Sequence, residues 1–172
     1  MQRLLAANLV LEPLTEAHAE AMFPALSDPE LYRYLDYGPP PSLDDLRSVY
    51  KRLQRGVSPD GSEIWLNWIL CLDGAINIGY IQAMLVSPNA AWIAYFLSSD
   101  YWGHGYAYSA TKAMLQHLIE RYEVAEFLAT VEMDNIRSIS LLERLGFERA
   151  AHHEAEPHKL SNSEILFKRQ SA

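Results

Sequence analysis

A glycine pair set between an apolar run and a long amphipathic stretch constrains this chain's fold more than any other feature. The run is Ala90, Ala91, Trp92, Ile93, Ala94, Tyr95, Phe96 and Leu97, and the pair lies in Trp102-Gly103-His104-Gly105-Tyr106-Ala107. Behind it, Ala107, Ala110, Thr111, Met114, Leu118 and Tyr122 share one helical face, with Leu115 and Ile119 beside them. A short apolar run reads as a buried strand, and the 3.6-residue spacing reads as a helix. Phe127 to Met133 is a further strand. A strand–helix–strand crossover of this kind is expected to be parallel and right-handed. Glycine tolerates backbone conformations that bring the chain close to a ligand. A helix N-terminus adds unpaired N–H groups and a partial positive charge, which suit a phosphate. A tight strand-to-helix turn would carry the same residues, so locally both readings stand.

The rest of the chain supplies more strands and short helices. Asn8 to Leu14 reads as a strand, after which Thr15 caps a helix to about Leu26. Asp28-Pro29-Glu30 opens a second helix, with Asp at the cap and Pro at the first helical position, stopped by Tyr37-Gly38-Pro39-Pro40-Pro41. Ser42-Leu43-Asp44-Asp45 opens a third, to about Arg55. Ile64–Leu72, Ala75–Val86 and the run ending at Leu97 are three consecutive strands. Asp73-Gly74 and Ser87-Pro88-Asn89 are the turns between them, so the three form an antiparallel meander. After Phe127–Met133, Asp134 or Asn135 caps a short helix bearing Ile136, Ile139, Leu142 and Leu145, and Gly146 sits at a C-terminal cap position. A strand begins at Phe147, His152 to Ser163 is polar and loop-like, and Glu164 to Arg169 is a last strand. The order is β-α-α-α-β-β-β-α-β-α-β-β, an α/β (α+β) chain with a mixed sheet.

At 172 residues the chain is expected to be one domain, 1–172, able to bury its own core. A formal net charge of −8 argues against a broad nucleic-acid footprint, which needs a basic face, and weakly favours cationic partners. The single cysteine, Cys71, lies in an apolar run and reads as a small buried hydrophobe. No internal disulfide can form, which suits a reducing compartment. No apolar run approaches the ~18 residues of a membrane span, and Met1 to Leu5 is too short for a signal peptide. The expected location is the cytoplasm, with no membrane partner. The six histidines show no ligand spacing, so no metal is expected.

Three motifs together resemble the GCN5-related N-acetyltransferases, and within them the branch that contains the ribosomal-protein alanine N-acetyltransferases. The first is Tyr95-Phe96-Leu97 followed by Asp100-Tyr101-Trp102-Gly103-His104-Gly105-Tyr106-Ala107, similar to the family's acetyl-CoA pyrophosphate loop. The second, Asn135-Ile136-Arg137-Ser138, is similar to an Asn-x-x-Ser helix opening. The third, Leu141 to Phe147, resembles the family's helix end and turn. With Leu9-Val10-Leu11-Glu12-Pro13-Leu14 the resemblance spans nearly the whole chain.

The resemblance implies a mixed, mostly antiparallel twisted sheet whose central parallel strand pair splays apart. It implies acetyl transfer from acetyl-CoA to a primary amine, on a protein N-terminus or a small molecule. The pantetheine would lie along Tyr95, Phe96 and Leu97, and the pyrophosphate on the amides from Gly103 through His104, Gly105 and Tyr106 to Ala107, with Trp102 covering the cofactor or standing as a surface hydrophobe. Asn135 would face the cofactor while capping its helix, and Ser138 would stabilise the leaving thiolate or tie down its own helix. Tyr34 and Tyr37 could wall the acceptor pocket. Asp36 and Glu154 could meet an ammonium, and His152 or His153 could take a proton. Solvated acids and core tyrosines are the plainer reading of that segment. Two family groups are replaced: Trp92 stands where many relatives have a basic Glu, and Leu142 where others have an acidic Tyr. Glu132 could relay a proton through water instead. A non-catalytic acyl-CoA-binding module of the same fold is the alternative, and a homodimer is an open option.

Overall fold

The computed structural model describes residues 1–87 and 89–171. Eight strands form one sheet: β1 (Leu4–Ala6), β2 (Leu9–Pro13), β3 (Ile64–Leu72), β4 (Ile76–Ser87), β5 (Ala90–Leu97), β6 (Glu126–Glu132), β7 (Glu148–Arg149) and β8 (Glu164–Gln170). Their order is β1-β2-β3-β4-β5-β6-β8-β7. Every neighbouring pair is antiparallel except β5–β6, the two ends of the crossover. Among the described residues five α-helices accompany it: α1 (Ala19–Leu26), α2 (Leu43–Leu53), α3 (Tyr106–Tyr122), α4 (Ile136–Arg144) and α5 (His152–Ala155). No helix among the described residues is long and apolar enough to cross a membrane.

The pleat divides the core in two. Leu66, Trp68, Leu70 and Leu72 point to the face covered by α3 and α4, while Ile69 points to the face where Met22 of α1 and Leu46 and Tyr50 of α2 pack. That alternation is the period-two pattern of a strand buried on both faces. Trp68 is fully buried, and its indole N–H donates to the Gln2 carbonyl at 2.8 Å, which ties the N-terminus to the sheet.

Local chemistry follows the sequence at most element ends. The Ser42 hydroxyl accepts from the Asp45 N–H, and the Asn135 side chain from the Ser138 N–H. Asp73-Gly74 turns the β3–β4 hairpin with both residues at positive φ. Four expectations change. Leu4–Ala6 pairs with β2 as an additional strand, through Leu4 opposite Leu11. The helix expected from Asp28 is a single 3₁₀ turn, Pro29–Tyr32: Asp28 accepts from the Glu30 N–H, and the next bonds, Arg33 to Glu30 and Leu35 to Tyr32, are three-residue links that reach the proline stretch before an α-helix can propagate. The helix behind Thr15 opens with a 3₁₀ turn, Glu16–His18, where the His18 ring accepts from the Thr15 N–H at 3.0 Å. The polar tail holds α5 and a 3₁₀ turn, Glu156–His158, nucleated where the Glu154 side chain accepts from the Ala151 N–H. The turn expected at Ser87-Pro88-Asn89 lies, at Pro88, outside the described residues.

Candidate active site

The two parallel strands stay together for only three residue pairs, from Ala90 opposite Glu126 to Trp92 opposite Leu128. Past that point they diverge. Ile93 to Leu97 on β5 and Ala129 to Glu132 on β6 become the walls of a cleft of about 810 Å³. Beyond Trp92, β5 keeps β4 as its only strand partner among the described residues, so its other edge presents free backbone groups to the cleft. Such an edge accepts an extended, amide-bearing ligand by strand addition. Gly79 of β4 helps to set this wall: a Cβ there would stand 2.1 Å from the Phe96 carbonyl oxygen, so only glycine lets β4 lie so close to β5.

The loop from β5 to α3 forms one side of the mouth. A 3₁₀ turn, Ser99–Tyr101, leads into Gly103 and Gly105, which adopt φ of 81° and 79°. That left-handed backbone is cheap for glycine alone. The first helical bond of α3 runs from the Ser109 N–H to the Gly105 carbonyl. The amides from Gly103 to Tyr108 have no acceptor among the described residues, a row of donors at the positive end of a five-turn helix.

Two arginines of α4 flank that row. The Arg137 guanidinium lies over the Trp102 indole, 3.8 Å from the ring centre, and Arg144 lies 4.8 Å from the Tyr108 ring centre. Trp102 is itself fixed, its indole N–H donating to the Leu97 carbonyl at 2.7 Å. Among the described residues neither arginine has a carboxylate within 4.0 Å, and both line the cleft. Arg137, Leu141 and Arg144 follow helical spacing, so the shared face was readable in the sequence. The aromatic rings that receive the arginines were not.

Deeper in, α4 presents Asn135 and Ser138. Asn135 Oδ1 accepts from the Ser138 N–H at 3.2 Å, and the Ser138 Oγ is 2.6 Å from the Tyr95 phenol oxygen. Burial pushes the Tyr95 phenol up to about 12, against the opposing pull of its bond to Ser138. Sequence reasoning placed Tyr95 along the cofactor path by its backbone and did not foresee this side-chain contact.

The remaining candidates separate. Tyr95, Phe96, Leu97, Trp102, Gly103, Gly105, Tyr106, Ala107, Asn135, Ser138 and Tyr34 all line the cleft. His104 does not; its ring stacks on Tyr106 with centroids 5.5 Å apart, so only its backbone shares the site. Asp36, Tyr37 and His153 also stand outside the lining, although Tyr37 meets the edge of Tyr32, which in turn contacts the cleft residue Phe96. Glu154 is held by Lys168, whose hydrogen bond keeps the carboxyl below its ordinary range, so it is not free to meet an ammonium. Trp92 packs against the His158 ring, and Leu142 is fully buried on the inner wall. The carboxylates on the lining are Glu30, Glu132 and Asp134. Among the described residues no group of three His, Cys, Asp or Glu side chains could hold a metal.

Comparison with known proteins agrees with this geometry. The chain is 24% identical over 150 residues to the uncharacterised N-acetyltransferase p20 of Bacillus licheniformis, covering 87% of this chain and 84% of that one. Its fold is similar to that of RimL, a ribosomal L7/L12 α-N-protein acetyltransferase solved with coenzyme A, with a TM-score of 0.80, 19% identity and 98% of each chain covered. The acetyltransferase of Salmonella typhimurium that modifies the N-terminal serine of the 50S protein L7/L12 gives a TM-score of 0.77 at 20% identity, over 97% of each chain. Residues 8–148, from β2 through the splayed pair and α4 to the start of β7, match the acetyltransferase (GNAT) domain, and the chain belongs to that family.

Proposed function

We propose that this chain is an acetyl-CoA-dependent N-acetyltransferase acting on a primary amine in the cytoplasm. The observation that carries the reading is the row of unpartnered amides at 103–108, which opens onto a cleft bordered by the free edge of β5. A diphosphate needs the first feature and an amide-bearing pantetheine arm needs the second. Arg137 and Arg144 add positive charge beside the row, in a chain whose net charge is −8.

Acetyl-CoA supplies the acetyl group as an activated thioester. The chain's own residues orient it. The β5 edge aligns the arm, the amides of the α3 N-terminus hold the phosphates, and Asn135 secures the turn that carries Ser138. Ser138 offers a hydroxyl to the leaving sulfur. The attacking amine must lose a proton. Glu132, a carboxylate on the β6 wall of the cleft, is the group we assign to take that proton through water. The acceptor is an α-amine of a protein N-terminus or a small amine. The RimL structures support the first choice by fold alone.

Trp92 and the buried Leu142 favour a second reading, an acyl-CoA-binding module without turnover. Calorimetry with acetyl-CoA, followed by a thiol-release assay over small amines and N-terminal peptides, separates the two. Binding with release on at least one amine is expected. Binding with no release on any amine would establish the module, and no binding would refute both.

A further inference from the structure

The contact between Tyr95 and Ser138 links the strand that walls the cleft to the helix that closes it, across 43 positions of sequence. Either oxygen can be the donor in this 2.6 Å bond, and the choice has consequences. If Ser138 donates to Tyr95, its hydrogen is spent and it presents only lone pairs to the cleft. If Tyr95 donates, the Ser138 hydrogen is free to point at a ligand. A thiolate needs donors, so only the second arrangement is useful to a leaving sulfur.

We propose that Tyr95 is a positioning residue for acyl transfer, donating its phenol hydrogen to the Ser138 Oγ so that the Ser138 hydroxyl is aimed at the sulfur of the bound thioester. The proposal rests on the acetyltransferase reading above. In the step it serves, the amine nitrogen forms a bond to the acetyl carbon, and the carbon–sulfur bond then breaks. The electron pair stays on sulfur, where the Ser138 O–H donates to it. The proton lost by the amine leaves through water, and the thiolate is protonated later from solvent.

Tyr95 does not itself supply that proton. Burial pushes its phenol up to about 12, whereas an ordinary thiol titrates at about 8.5. Transfer from the phenol to a thiolate would therefore be uphill. A phenol that holds its proton so firmly remains a donor at every pH at which the enzyme works. Asn135 fixes the backbone of the same serine through its N–H, so the Ser138 side chain is held from two directions. No family tyrosine stands at Leu142, and the phenol on β5 reaches the first turn of the same helix from the opposite wall.

The test is Tyr95→Phe in the full chain, which removes one oxygen and leaves the ring. The expected result is a fall in kcat of about tenfold, with the acetyl-CoA dissociation constant and KM within twofold of wild type and an unchanged pH–rate profile. Ser138→Ala should lose at least as much. Tyr95→Phe placed in the Ser138→Ala background should then cost nothing further, because the two act as one unit. Loss of the alkaline limb of the profile in Tyr95→Phe would overturn positioning in favour of proton donation. An unchanged kcat, with or without tighter cofactor binding, would also overturn the proposal, as would additive effects in the double variant. If wild type releases no thiol with any amine, the acetyltransferase reading fails first, and that outcome is distinct from every one above.

Discussion

At the scale of single residues, the cofactor end of the cleft depends on contacts that substitution can isolate. Arg137 stacks on a Trp102 ring that is pinned to β5, so its charge is held in place beside the amide row. Arg137→Ala should weaken coenzyme A binding by about tenfold, the size of one charge-assisted contact to a phosphate. The loss should shrink at high salt, and Arg137→Lys should recover only part of it, since an ammonium does not stack as a planar guanidinium does. Calorimetry at two ionic strengths checks both points. Gly79 tests the opposite wall. A methyl group there meets the Phe96 carbonyl at 2.1 Å and the Leu97 Cα at 2.9 Å, both backbone atoms that cannot rotate away. Gly79→Ala should cost about 3 kcal/mol in chemical denaturation, as overpacking does. Any protein that folds should bind cofactor less well, because the displaced segment is the cleft edge itself.

At the scale of elements, α4 is the part whose stability and chemistry coincide. Its N-cap is Asn135, and the capped N–H belongs to Ser138. Asn135→Ala should cost roughly 1 kcal/mol and lower the melting temperature by about 2–4 °C. It should also reduce turnover by more than that stability loss alone would, because the first turn that aims Ser138 frays. Thermal melts and steady-state rates on one preparation measure the two effects together. The elements were also where sequence reading worked best. The meander, the glycine turn, α3 and the caps at Ser42 and Asn135 are short-range chemistry, and each appears where its residues lie. Leu4–Ala6 escaped because three residues carry no measurable period, and α5 because its nucleus is a single side-chain bond from Glu154. The site was half legible for the same reason. Gly103, Gly105 and Asn135 announce themselves locally. The pairing of Tyr95 with Ser138 and of Trp102 with Arg137 depends on which way β5 and α4 face once they meet, and only tertiary packing decides that.

At the scale of the whole molecule, the two-faced core makes folding sensitive to acid. His117, on α3, is buried at 7% exposure between the rings of Trp68 and Tyr122. Burial, reinforced by the nearby Arg121 charge, lowers its ring below the ordinary 6.5, with Glu120 pulling the other way. Well above pH 6.5 the ring is neutral in both folded and unfolded chains and contributes no slope. As pH falls through 6.5 the unfolded chain takes up the proton first, so stability falls until the folded ring also titrates. Melting temperatures between pH 7 and pH 5 should therefore decline, and His117→Leu should flatten that part of the curve. The three rungs that join Ala90–Trp92 to Glu126–Leu128 have a mechanical meaning as well. They divide the sheet into a five-stranded plate and a three-stranded plate, joined by one seam and by the α3 crossover that links β5 to β6 in the chain. A ligand lodged in the opening touches both plates and stitches them along the length the chain leaves unsewn. In such a molecule the substrate is also a structural fastener, and how firmly the last quarter of the chain is held becomes a measure of occupancy.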